Sequence, residues 1–182
     1  MMPPLSTVPD APAVNASAPP ESRIAVFVSG LDDTPSGRAA VALANALHRR
    51  TQALDVVAPM GGGPLRAALH PGIGQIDLAK RHTATSILAL ARIVAERRPA
   101  GLVGAGSDAG LAALAAARLA GRDTPVAVPV AVLDDSPPPQ GGLRRALRGW
   151  LHPRASAISD GATTPEEAAR LFLAAFGFPE PA

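Results

Sequence analysis

The stretch Arg23–Arg50, RIAVFVSGLDDTPSGRAAVALANALHRR, decides the fold. Ile24–Val28 is a β-branched and aromatic run, too short for a helix and bounded by Ser29-Gly30, so it reads as a buried strand. A small polar loop follows. Ser36 can cap the next helix, and Ala40, Leu43, Ala44 and Leu47 recur at i, i+3, i+4 and i+7 on one face. A strand that enters a helix through a Ser/Gly loop leaves backbone N–H groups at the helix start, where an anion can dock. The floor of any ligand site is expected here.

The same alternation continues along the chain. Leu54–Ala58 reads as a second strand, Met60–Pro64 carries three consecutive glycines, and Leu65–Leu69 can add a short helix. Ile73–Leu78 is a third strand. Thr83–Arg98 is a helix ended by Pro99, with Ile87, Leu90, Ala91 and Val94 on its buried face. Leu102–Ala105 is a strand, Asp108–Ala120 a helix closed by Gly121, and Val126–Leu133 a strand that Pro129 places at an edge or makes irregular. Gly141–Leu151 is a short basic helix and Ala155–Ser159 a last strand. The final helix, Thr164 to Ala175, opens on Thr164-Pro165-Glu166-Glu167, where a cap, a first-turn Pro and a capping-box Glu stand in register. Strands alternating with helices imply an α/β, Rossmann-like three-layer domain, with a mostly parallel sheet of about six strands covered on both faces.

Composition bounds the rest. The 182 residues suffice for one buried domain, and Met1–Ser22, rich in Pro, Ala and Ser without periodicity, reads as a disordered leader before a domain over 23–178 and a 179–182 tail. The formal charge is +2, and the basic groups are arginines apart from Lys80. Aromatic residues make up 3% of the chain, too few for the base-stacking platforms of a nucleic-acid binder. Without cysteine there are no disulfides and no thiolate metal sites. No signal peptide and no membrane span can be read, so a cytoplasmic location is expected.

Right-handed crossovers would gather every strand-to-helix loop on one edge of the sheet, the usual ligand edge. The residues collected there are Ser29, Gly30, Ser36, Gly37 and Arg38, then Gly106, Ser107 and Asp108, then Asp134 and Asp135, and finally Ser159, Asp160 and Gly161. Ser36-Gly37-Arg38 can hold a phosphate through amides and a guanidinium, or be only a cap and a solvated Arg. Gly104–Gly110, GAGSDAG, is a loose dinucleotide fingerprint whose third glycine comes one place late; tight packing is the plainer account. Asp32-Asp33 and Asp134-Asp135 could share Mg²⁺ only where their loops meet, and otherwise are solvated carboxylates. The four histidines lack metal-ligand spacing, and His82 alone is expected near the ligand edge. The basic 141–151 segment, with Leu143, Leu147 and Leu151 on one face, can rest on anionic lipid or simply turn its leucines to the core.

Taken in order, these segments resemble the N-terminal domain of the family 4 glycosyltransferases, enzymes of the GT-B architecture. The likeness runs from about Arg23 to Phe178. It is carried by the turn and helix Ser36–Leu47, by Ile76-Asp77-Leu78, Arg98-Pro99, the Gly106–Leu119 helix, His152-Pro153-Arg154-Ala155 and the Ser159-Asp160-Gly161 turn. The resemblance implies half of a retaining enzyme that moves a sugar from a nucleotide-sugar donor to a sugar or lipid-linked acceptor, without a required metal or other cofactor. It puts Gly30, Gly37 and Arg38 on the donor phosphate and Ser107, Asp108 and Asp134 on the acceptor side; by their place on the same edge Ser36 is expected to join the first set, and His82, Asp135, Ser159 and Asp160 the second. It also implies a C-terminal donor domain, in cis or in trans, and allows peripheral membrane contact through 141–151. Departures are the Ser-Gly turn in place of paired glycines and an insertion-like Leu31–Pro35. The rival readings are a non-catalytic nucleotide or dinucleotide module and a docking scaffold.

Overall fold

The computed structural model describes residues 23–122, 128–134, 155–160 and 164–179, with the single positions 142, 146 and 149. The expected leader, Asp135, Gly161 and the rest of the basic 141–151 segment lie outside the described residues. Six strands form one sheet: β1 Ile24–Val28, β2 Leu54–Ala58, β3 Gly74–Asp77, β4 Gly101–Ala105, β5 Val130–Asp134 and β6 Ala157–Asp160. Their order is β3-β2-β1-β4-β5-β6 and every pairing is parallel. This is the strand order of a doubly wound Rossmann-like sheet, as the alternation of elements implied.

Side-chain alternation explains why the sheet is covered on both faces. Ile24, Val26 and Val28 of β1 point to one side with Leu54, Val56, Val103, Ala131 and Leu133. There they meet α1 (Pro35–Thr51), through Ala40, Leu43, Ala44 and Leu47, and the C-terminal helix α4 (Pro165–Ala175), through Ala168, Ala169 and Phe172. Ala25 and Phe27 point the other way and join Val57, Leu102, Val130 and Val132 under α2 (Ile87–Arg97) and α3 (Ser107–Ala120). Phe27 and Phe172 are fully buried, one on each side, and burying a side chain of that size contributes roughly 1.5–3 kcal/mol.

Several boundaries differ from expectation, each for a local reason. The cap of α1 is Thr34, whose Oγ1 accepts from the Gly37 N–H at 3.1 Å; Ser36 sits inside the helix behind Pro35. Pro129 is not in an edge strand. It stands just before β5, an inner strand, where its missing N–H costs no ladder bond while its carbonyl accepts from Leu102 N at 3.0 Å. The segment after the glycine triplet winds as a 3₁₀ turn, Pro64–Ala68, and a second 3₁₀ turn, Ala84–Ser86, leads into α2. The capping box of α4 forms as read, with Thr164 and Glu167 exchanging hydrogen bonds.

Candidate functional site

Because all six strands run the same way, their C-terminal ends share one edge. The strand order reverses between β1 and β4, and an open sheet binds ligands in the crevice at that point. Val28 and Ala105, the last residues of the two strands, are paired in register there. A half-open cavity of about 220 Å³ lies over them. Val28, Ala40 and Ala105 make its apolar floor; Ser29, Gly30, Asp32, Thr34, Ser36 and Gly37 line the rest.

The β1–α1 loop is wound tightly around this cavity. A side chain on Gly37 would collide with the Asp32 carbonyl and crowd Leu65, so only glycine fits at the first turn of α1. Leu31 is buried in the core, and its carbonyl accepts from Leu65 N at 3.0 Å, tying the loop to the 3₁₀ turn behind it. The start of α1 is less open to an anion than the sequence alone implied. Pro35 has no N–H, the Gly37 N–H goes to the Thr34 hydroxyl and the Arg38 N–H to the Thr34 carbonyl at 2.9 Å. The Arg38 guanidinium is exposed and turned onto Asp33 at 2.6 Å.

Across the switch point, Gly106 (φ 102°) closes β4 against β5, its N–H donating to Leu133 O at 2.8 Å. Ser107 opens α3 and donates to Asp134 Oδ1 at 2.7 Å, so the buried end of β5 is joined to the start of α3. Asp108 is exposed in the first turn of the same helix. A side chain on Gly104 would strike the backbone of Gly110, and one on Gly110 would strike the Val132 side chain of β5: helix packing on strand accounts for these glycines of the GAGSDAG run.

The remaining candidates share the edge but not the crevice. Ser159, buried, and Asp160 end β6, two strands from β4. His82 follows β3, two strands from β1 on the opposite flank, with its side chain exposed and its carbonyl capping Thr85 and Ser86. At ~4.8 Å per strand the two groups stand at opposite ends of the sheet. Asp33 is engaged by Arg38, and among the described residues no group of three or more His, Asp or Glu is placed to hold a metal ion. Sequence reasoning missed Asp32 as a cavity wall and Thr34 as the cap. The signal for the cap was present, since Thr34-Pro35 repeats the Thr164-Pro165 pattern.

No protein-family model matches the chain, and no curated protein matches it. Among solved structures it is similar to Medicago truncatula UGT71G1 complexed with UDP-glucose, with a TM-score of 0.41 and 14% identity, over 63% of this chain. This chain spans 30% of that protein's length. Among the described residues no helix is long and apolar enough to cross a membrane.

Proposed function

We propose that this chain is the N-terminal half of a retaining glycosyltransferase that moves a sugar from a nucleotide-sugar donor to a sugar or lipid-linked acceptor. The observation that carries the reading is the cavity at the β1/β4 switch point, walled by the one loop that the family resemblance assigns to the donor. In this reading Gly30, Ser36, Gly37 and Arg38 face the donor. Ser107, Asp108 and Asp134 stand on the acceptor side across the crevice, with Asp135, Ser159, Asp160 and His82 farther along the edge. A second lobe supplies most of the donor contacts, and stabilising the departing diphosphate is the main electrostatic task. The rival nucleotide-module reading rested on Gly104–Gly110, whose outer glycines are explained by packing.

The test is turnover. The chain is incubated with UDP-glucose, UDP-N-acetylglucosamine and GDP-mannose plus an acceptor panel, alone and with a donor domain fused or added. Sugar transfer that requires both lobes is the expected result. A folded chain that supports no transfer and no nucleotide-sugar hydrolysis in any pairing overturns the proposal.

A further inference from the structure

The connection from β2 to β3 runs along α1 as a strap with few apolar anchors. Over 62–73 only Leu69 and Ile73 are buried. Polar contacts to α1 hold the rest. Asn45 donates through Nδ2 to the Ala68 carbonyl at 2.9 Å and accepts the His70 N–H at Oδ1, also at 2.9 Å. Three residues on, the buried His48 ring lies against the His70 ring. His70 Nδ1 accepts from the Gly72 N–H at 3.1 Å, and a side chain on Gly72 would strike the His48 imidazole, so the turn is closed over that ring. At the front of the strap Leu65 N donates to Leu31 O, and the Leu65 side chain lies beside Gly37. The strap therefore backs the loop that walls the crevice.

This arrangement needs two neutral rings. An imidazole that accepts at Nδ1 carries its proton on Nε2; a second proton turns Nδ1 into a donor facing the Gly72 N–H, and that bond is lost. A proton on His48 fares no better: its Nδ1 is buried without a hydrogen-bond partner among the described residues, and a charge there meets burial first and His70 second. The charged groups on the packed elements offer no relief. On α1 the neighbours are Arg49 and Arg50, and Arg49 already holds Glu166 of α4; the 3₁₀ turn brings Arg66; on β2 Asp55 is taken by Arg23 and Arg97.

We propose that the His48–His70 contact is an acid-released latch: a proton taken up by the pair detaches the 65–72 strap from α1 and slackens the β1–α1 loop in front of it. The latch rests on no reading of what the crevice binds. A strap with two buried side chains opens locally at a cost well below that of unfolding the sheet, so release can precede global unfolding.

The experiment is amide hydrogen exchange on the full chain at pH 7.5 and pH 5.5, a range in which ordinary carboxylates stay charged and histidines titrate. Protection is corrected for the intrinsic exchange rate at each pH. The amides of Leu65, His70, Gly72 and Ile73, all hydrogen-bonded in the closed strap, should lose protection by about tenfold in acid, while Phe27 and Val103 in the sheet keep theirs. The double variant His48→Leu with His70→Asn cannot take up the proton, yet the Asn carboxamide oxygen can still accept from Gly72; its strap should be equally protected at both pH values. Should the double variant fail to fold, His70→Asn alone is read in its place, and its Gly72 amide must stay protected at pH 5.5. Strap protection that is the same at both pH values in wild type overturns the latch. So does a loss spread evenly over strap and sheet, or a loss that persists in the variant read.

Discussion

At the scale of single residues, the chain sets engaged groups against unengaged ones. Asp33 and Arg38 neutralise each other in solvent, whereas Asp32, one position earlier and also exposed, has no ion-pair partner among the described residues. The same contrast recurs at the other end of α1. His48 is buried against His70, ring centroids 4.6 Å apart, and among the described residues its Nδ1 has no hydrogen-bond partner. Burial, with the neighbouring His70 second, holds the His48 imidazole below its ordinary 6.5. A depressed histidine binds fewer protons folded than unfolded, so its contribution to stability is complete above pH 6.5 and is lost as the pH falls. Urea unfolding at pH 7.5 and pH 5.5 should therefore show wild type weakening in acid. His48→Leu should flatten that dependence, and an unchanged pH profile in the variant would assign the acid sensitivity elsewhere.

At the scale of elements, α1 begins at a Thr-Pro cap, and its first turn is shaped by what Gly37 lacks. Thr34→Ala should cost about 1 kcal/mol, the usual loss at an N-cap. In a domain of this size that lowers Tm by about 2–4 °C, which calorimetry can check. Much of this level was legible. The apolar face of α1, the capping box of α4 and the arrest of α2 before Pro99 all follow from local sequence, and all three are found. The cap of α1 was misplaced by two residues because Ser36 and Thr34 are both good caps, and only the following Pro separates them. Asp32 was not legible as a cavity wall. Its role depends on Leu31 being drawn into the core by the 3₁₀ turn, a contact between segments some thirty positions apart. His82 and Asp160 were gathered correctly to one edge, but strand order decides distance along it, and alternation of strands and helices does not reveal that order.

At the scale of the whole molecule, the two edges of the sheet differ. The edge opposite the cavity is tied by Asp55, 6% exposed at its side chain, which receives Arg23 at 2.8 Å and Arg97 at 3.3 Å. That carboxylate joins the entrance of β1, the start of β2 and the end of α2. Replacing both arginines leaves it buried and unpaired, which should cost about 3–5 kcal/mol in urea unfolding. Asp55→Asn in the same background should recover part of the loss, and no recovery would show that the charge is not the cause. The cavity edge carries glycines, hydroxyls and carboxylates instead.

Nucleotide sugars are proposed to meet this chain at the β1/β4 switch point. The contact is tested most directly by mapping amide ¹⁵N–¹H shifts on titration with UDP-glucose and GDP-mannose. The shifts should fall on Gly30, Ser36, Gly37, Gly106 and Ser107, the two loops that close the crevice. Shifts concentrated on the far edge, around Asp55, Gly72 and Gly74, or none with either nucleotide sugar, would contradict it.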